Sequence, residues 1–197
     1  TGVEGTNNVL NSISEECKII FPSTHVVFEG IKKVKKNIAE NEPTFPLLTY
    51  AKSKVQNETD IKNSKKKYVI LRLGSVYGYS LDSMRIGIMP NLFSKIASQN
   101  GTIKLYAGGK QLKSLVNLID VVRCMKFMEE NSKIKNEIFH LVNEQTTVKQ
   151  VAEICKKINP NLKLKITDDE IPNEGYTLSN YKILKTGFKF LYNLEDS

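Results

Sequence analysis

Three short apolar runs constrain this chain more than any other feature. They are Lys18-Ile19-Ile20-Phe21, closed by Pro22; Tyr68-Val69-Ile70-Leu71-Arg72-Leu73, closed by Gly74; and Ile138-Phe139-His140-Leu141-Val142. Each is continuous rather than alternating, the pattern of a strand covered on both faces. The stretches between them carry helical signals. Leu47 to Ile61 reads as a helix, Pro90 opens another through Ala97, and Val121, Cys124, Met125 and Met128 recur at helical spacing after Asp120. Gly5 to Leu10 reads as a helix interior, and Thr147 caps a helix running to Ile158. Ile103 to Tyr106 and Lys113 to Leu118 are short strand candidates flanking the Gly108-Gly109 turn. Strands alternating with helices predict an α/β fold with a mostly parallel sheet covered on both faces.

Charge does not redirect this reading. The chain has 197 residues, with 29 Lys and Arg against 21 Asp and Glu, a net charge of +8. The excess lies in Ile31 to Lys36 and Lys62 to Lys67, both read as loops or helix ends. Neither run interleaves aromatics that stack on bases, and lysine replaces the arginine that recognises phosphate or guanine through two bonds. A solvated surface is expected, with no nucleic acid partner; an RNA-binding role is the rival that steeply salt-dependent affinity would reveal. No apolar run approaches the roughly 20 residues of a membrane helix, and no charged start leads into an apolar stretch, so neither membrane nor secretory signal is expected. Cys17, Cys124 and Cys155 lie far apart, with His25 and His140 as the only histidines. That spacing argues against a disulfide scaffold and against a metal site, and predicts a reduced, cytoplasmic, metal-free protein.

The chemistry-bearing residues cluster around Tyr50-Ala51-Lys52-Ser53-Lys54. Spacing of four on a helix puts the Tyr50 phenol and the Lys54 ammonium on one face. A tyrosine normally ionises near pH ~10, and a fixed positive charge close by favours the phenolate a base requires. Upstream, Ser23 and Thr24 place hydroxyls where the first strand leaves the sheet, at the carboxyl edge where open α/β sheets bind ligands. Downstream, Arg72 to Gly78 is a strand emptying into a glycine-bounded loop.

With these segments in place, the chain resembles the extended short-chain dehydrogenase/reductase family, specifically the NAD-dependent sugar-nucleotide epimerase/dehydratase group. The match is carried by Gly5-Thr6 to Leu10, Ser23-Thr24 to Gly30, Tyr50 to Lys54 and Arg72 to Gly78, with Gly108 to Lys113 leading into Asp120-Val121 as a weaker fifth. The resemblance implies a Rossmann-like doubly wound parallel sheet with a smaller C-terminal α+β substrate-binding part. Residues 1–78 and 118–143 would belong to the cofactor domain, and 79–117 and 144–197 to the substrate part.

The resemblance also implies roles. Thr24 would hydrogen-bond the sugar hydroxyl being oxidised, Tyr50 would remove or return its proton, and Lys54 would hold the nicotinamide ribose. Pro22 and Leu73 fall where the family's chain passes the nicotinamide. Ser75, Gly87, Ile88, Lys113 and Tyr176 fall where nucleotide-sugar contacts are usual. NAD is the implied cofactor; the glycine-rich segment that receives its pyrophosphate, together with the selector between NAD and NADP, is expected ahead of this chain. A nucleotide-sugar substrate and a homodimer are the implied partners.

Departures narrow the reaction. Ser75 replaces a common asparagine, Gly87 stands where another is frequent, and Lys113 replaces an arginine. His25 and Val26 follow Thr24, where dehydratases of this group carry Asp and Glu, so elimination of water is disfavoured. The expected reaction is 4-epimerisation of a nucleotide-diphosphate sugar, in surface-polysaccharide metabolism. The alternatives are a sugar-ketone reductase or dehydratase of the same family, or a catalytically incomplete binding module. His25, Cys124 and the methionines read as structural.

Overall fold

The computed structural model describes residues 2–171 and 174–196. Helix α1 (Gly2–Ser12) leads into β1 (Lys18–Thr24), and a short lysine-bearing strand β2 (Lys35–Ile38) precedes α2 (Thr49–Asn63). Strand β3 (Lys67–Leu73) breaks at Gly74 and resumes as β4 (Ser75–Tyr77). Then follow α3 (Met89–Ser98), β5 (Thr102–Tyr106), β6 (Leu112–Asn117), α4 (Leu118–Glu130), β7 (Glu137–Leu141) and β8 (Glu144–Thr147). The chain continues through α5 (Val148–Ile158), β9 (Lys163–Thr167), β10 (Tyr176–Leu178) and α6 (Tyr181–Leu184).

The three apolar runs form one parallel sheet in the order β1-β3-β7. Their residues alternate between two cores. Ile19, Phe21, Ile70 and Ile138 turn to one side, where they meet Leu10 of α1 and Ile61 of α2. Ile20, Val69, Leu71, Phe139 and Leu141 turn to the other, against Val121, Cys124 and Met128 of α4 and Ile183 of α6. Both faces of the sheet are therefore covered, which is why the runs contain no regular polar positions. Each fully buried side chain among them contributes about 1.5–3 kcal/mol.

A second sheet, in the order β4-β6-β8, has parallel β4 and β6 and antiparallel β8. It packs Leu115 and Tyr77 against α3 and α5. Thr147 caps α5 in a reciprocal box with Gln150, satisfying two otherwise free backbone donors. Asp120, fully buried at the start of α4, pairs with Arg123 and accepts the backbone amides of Leu191 at 3.1 Å and Tyr192 at 3.0 Å.

Three features depart from the sequence expectation. The stretch after Gly74 is strand rather than loop, because Ser75 to Tyr77 pair in parallel with Leu115 to Asn117; a side chain at Gly74 would meet the Ser114 carbonyl at 2.7 Å, so glycine is what lets β3 pass into the second sheet there. Part of the lysine-rich run 31–36 is strand β2, held by parallel pairing with β10 and by burial of Ile38. Strands β9 and β10, with helix α6, fill the segment after α5 where no element was expected.

Candidate active site

The carboxyl end of β1 and the first turns of α2 meet at the edge of the main sheet. Thr24 pairs with Leu73 in the register of β1 and β3, so the two strands end side by side. Thr24 is buried, and its Oγ1 accepts the Val26 amide at 3.2 Å, capping the 3-10 turn His25–Phe28. That leaves the Thr24 hydroxyl proton free. Tyr50 sits in the first turn of α2 with its ring exposed. Lys54, one turn on, donates from Nζ to the Pro22 carbonyl at 2.8 Å. The same ammonium lies 4.6 Å from the Phe21 ring centroid and 5.9 Å from that of Tyr50. Burial holds the Lys54 pKa below the usual lysine value, and the Glu58 carboxylate pulls it partly back.

Helix α2 is held in this register by a buried network. Glu58, one turn beyond Lys54, receives Arg72 Nη2 at 2.8 Å and Nε at 3.0 Å, and the Ser23 hydroxyl at 2.5 Å. All three residues are nearly sealed from solvent. The Arg72 guanidinium also donates to the Glu40 carbonyl and stacks 5.3 Å from the Phe28 centroid.

Thr24, His25, Tyr50, Leu73, Ser75 and Ile88 line one cavity of about 560 Å³. The other expected residues, Pro22, Lys54, Gly87, Lys113 and Tyr176, are not in its lining. Pro22 serves through its carbonyl, bound to Lys54. Tyr176 stands behind His25, its hydroxyl donating to the His25 carbonyl at 2.9 Å. Lys113 is half-buried, with a pKa lowered by burial, and close enough to His25 to disfavour its protonation. Gly87 is exposed and its α-carbon faces open space. Sequence reasoning missed Arg85, Asn91 and Ser83 in the cavity wall. Arg85 had a signal, since it is one of three arginines in a lysine-rich chain. Met84, expected in the core, also lines this cavity.

A second cavity, of about 420 Å³ and more apolar, lies between α3 and α5 and contains none of Thr24, Tyr50 or Lys54. Cys124 is buried against α4's neighbours, its thiol pKa pushed up to about 12 by burial and by Asp120. Among the described residues no cluster of His, Cys, Asp and Glu suits a metal ion, and no helix is long and apolar enough to cross a membrane.

Known proteins share this fold. A UDP-glucose 4-epimerase from Thermotoga maritima, solved with UDP-glucose, superposes with a TM-score of 0.84 at 22% identity, over 100% of this chain and 66% of that one. A UDP-glucuronic acid 4-epimerase from Bacillus cereus, solved with NAD, gives 0.83 at 20% identity, over 100% and 64%. A dihydroflavonol 4-reductase from Gerbera hybrida is 32% identical over 111 residues, 54% of this chain and 29% of that protein. The chain thus spans under a third of the curated relative and just under two thirds of the solved structures. The family model described as RmlD substrate binding domain matches residues 3–172. The chain belongs to that family, built on the fold of the extended short-chain dehydrogenase/reductases.

Proposed function

We propose that this chain supplies the acid–base and sugar-facing part of an NAD-dependent enzyme that epimerises a nucleotide-diphosphate sugar at C4. One observation carries the reading. Thr24 and Tyr50, from different elements, line the same cavity at the sheet edge, with Lys54 fixed beside them. In this reading the Thr24 hydroxyl donates to the reacting sugar oxygen, and Tyr50 takes and returns its proton. Lys54 keeps a positive charge near the phenol and has donor hydrogens left for a ribose diol. Pro22 and Leu73 would flank the nicotinamide, which when bound supplies the reversible hydride chemistry. Ser75 and Ile88 would face the sugar, with Gly87, Lys113 and Tyr176 completing the nucleotide-sugar site. The β1-β3-β7 sheet with α1, α2 and α4 would be the cofactor side, and 79–117 with the residues after 143 the substrate side.

Dehydration fits less well, because no carboxylate stands among the described residues lining the cavity. A sugar-ketone reductase is the second reading, favoured by the curated relatives, which are named as 4-reductases. The gene-encoded protein, incubated with UDP-glucose and catalytic NAD, should produce UDP-galactose detectable by proton NMR. Net NADH oxidation with a keto sugar, and no epimer, supports the reductase instead. Neither outcome, with no bound NAD, leaves a binding module and overturns the proposal.

A further inference from the structure

We propose that His25 is a positioning residue that fixes the Ser75 hydroxyl as a hydrogen-bond acceptor, so that this wall of the cavity selects a sugar hydroxyl or amide that donates. The proposal rests on the sugar-binding reading of the cavity above. It follows from a chain of three hydrogen bonds whose direction is set at one end.

The Tyr176 hydroxyl has one proton, and it donates that proton to the His25 carbonyl at 2.9 Å. The same oxygen lies 3.2 Å from His25 Nδ1. With its proton spent, the phenol accepts there, so Nδ1 carries the hydrogen. In a neutral imidazole Nε2 is then the lone-pair nitrogen, and it lies 3.2 Å from Ser75 Oγ. The Ser75 hydroxyl must donate to it. What Ser75 leaves facing the cavity is lone pairs alone.

The imidazole is kept neutral by its surroundings. Burial, and then the Lys113 charge, hold the His25 pKa down at about 4. Thr24, in the same cavity, has the opposite polarity, since its oxygen accepts the Val26 amide and its proton is free. A sugar hydroxyl near Thr24 is met by a donor, and one near Ser75 only by an acceptor. A site built to receive a donor rejects an analogue lacking it, because the acceptor is then left unpaired.

The test compares UDP-glucose with its monodeoxyfluoro analogues, one for each sugar hydroxyl, since fluorine cannot donate. Affinities are measured by calorimetry on the gene-encoded protein saturated with NAD, in parallel with nitrogen-15 NMR of the His25 tautomer. The native protein should show the Nδ1–H tautomer and lose about tenfold in affinity at one sugar position. His25→Phe should collapse that ratio to about twofold or less while leaving the other positions unchanged. Tyr176→Phe keeps the imidazole in place but removes what sets its tautomer, and should narrow the same ratio. A ratio unmoved in both variants makes His25 a space-filling residue and overturns the proposal. An Nε2–H tautomer in the native protein overturns the relay itself. Absence of any sugar-nucleotide binding, with the Nδ1–H tautomer intact, overturns the functional reading and the ligand selection drawn from it.

Discussion

Glu58 and Arg72 form a two-pronged ion pair, with Nη2–Oε2 at 2.8 Å and Nε–Oε1 at 3.0 Å, in which both side chains are about 95% removed from solvent. The pair ties helix α2 to strand β3, and Ser23 ties the same carboxylate to β1. Tyr50 and Lys54 stand on that helix, so their position over the sheet edge depends on this buried charge. Removing one partner leaves the other charged and unpaired. Glu58→Ala is expected to destabilise the fold by about 3–5 kcal/mol in urea unfolding. A loss below about 1 kcal/mol would show that α2 is held by its apolar face alone.

Two histidines, His140 fully buried and His25 partly buried in the cavity wall, make stability depend on acid. Burial first, with Lys113 for His25 and Arg72 for His140, lowers their pKa values to about 4 and about 3. In the unfolded chain both ionise near pH ~6.5. The native state therefore has its full stability above that value, and loses it as pH falls and the unfolded chain alone takes up protons. The expected slope between about pH 6 and pH 5 approaches 2.7 kcal/mol per unit for the two groups. His140→Phe should halve it. A flat profile over that interval would mean that the rings are not held neutral.

Asp120 anchors the C-terminal segment. Its carboxylate accepts two backbone amides, from Leu191 and Tyr192, and pairs with Arg123, which in turn donates to the Lys189 carbonyl. Asp120→Ala leaves those part-buried amides without their acceptor, and is expected to cost about 1–3 kcal/mol in all. Limited proteolysis should then cut after Gly187 faster than in the native protein, while the sheet core stays protected. Equal cleavage rates would place the anchor elsewhere.

Much of this fold was legible because burial on both faces leaves an unbroken apolar run. That is how β1, β3 and β7 announced themselves, and Thr147 marked the start of α5 through its cap. Strand β2 was hidden because three of its four residues are Lys35, Lys36 and Asn37, and its pairing comes from β10, some 140 positions away. Strand β9, with Lys163 and Lys165 alternating against apolar neighbours, pairs only with β5 and keeps much of its surface exposed. The site divides the same way. Tyr50 and Lys54 are linked by helical spacing, which a sequence displays. The His25, Ser75 and Tyr176 contacts join residues 50 and 151 positions apart, and no local pattern encodes them.

Gly74 tests how tightly the two sheets meet beside the cavity. An added methyl group would lie 2.7 Å from the Ser114 carbonyl and 2.8 Å from Val142 Cγ1. Gly74→Ala is expected to cost about 1–3 kcal/mol in thermal or urea unfolding. A neutral effect would indicate that β3 and β6 separate freely at this point.

The role of Tyr50 is tested most directly by Tyr50→Phe in the gene-encoded protein, measuring both turnover and sugar-nucleotide affinity. Removing a single hydroxyl from an exposed ring spares the fold. Turnover should fall at least about a hundredfold, the size of a lost general acid–base group, with UDP-glucose affinity within about threefold of native. Near-native turnover in this variant would contradict the assignment of Tyr50 as the proton-transferring residue and, with it, the oxidoreductase reading of the cavity.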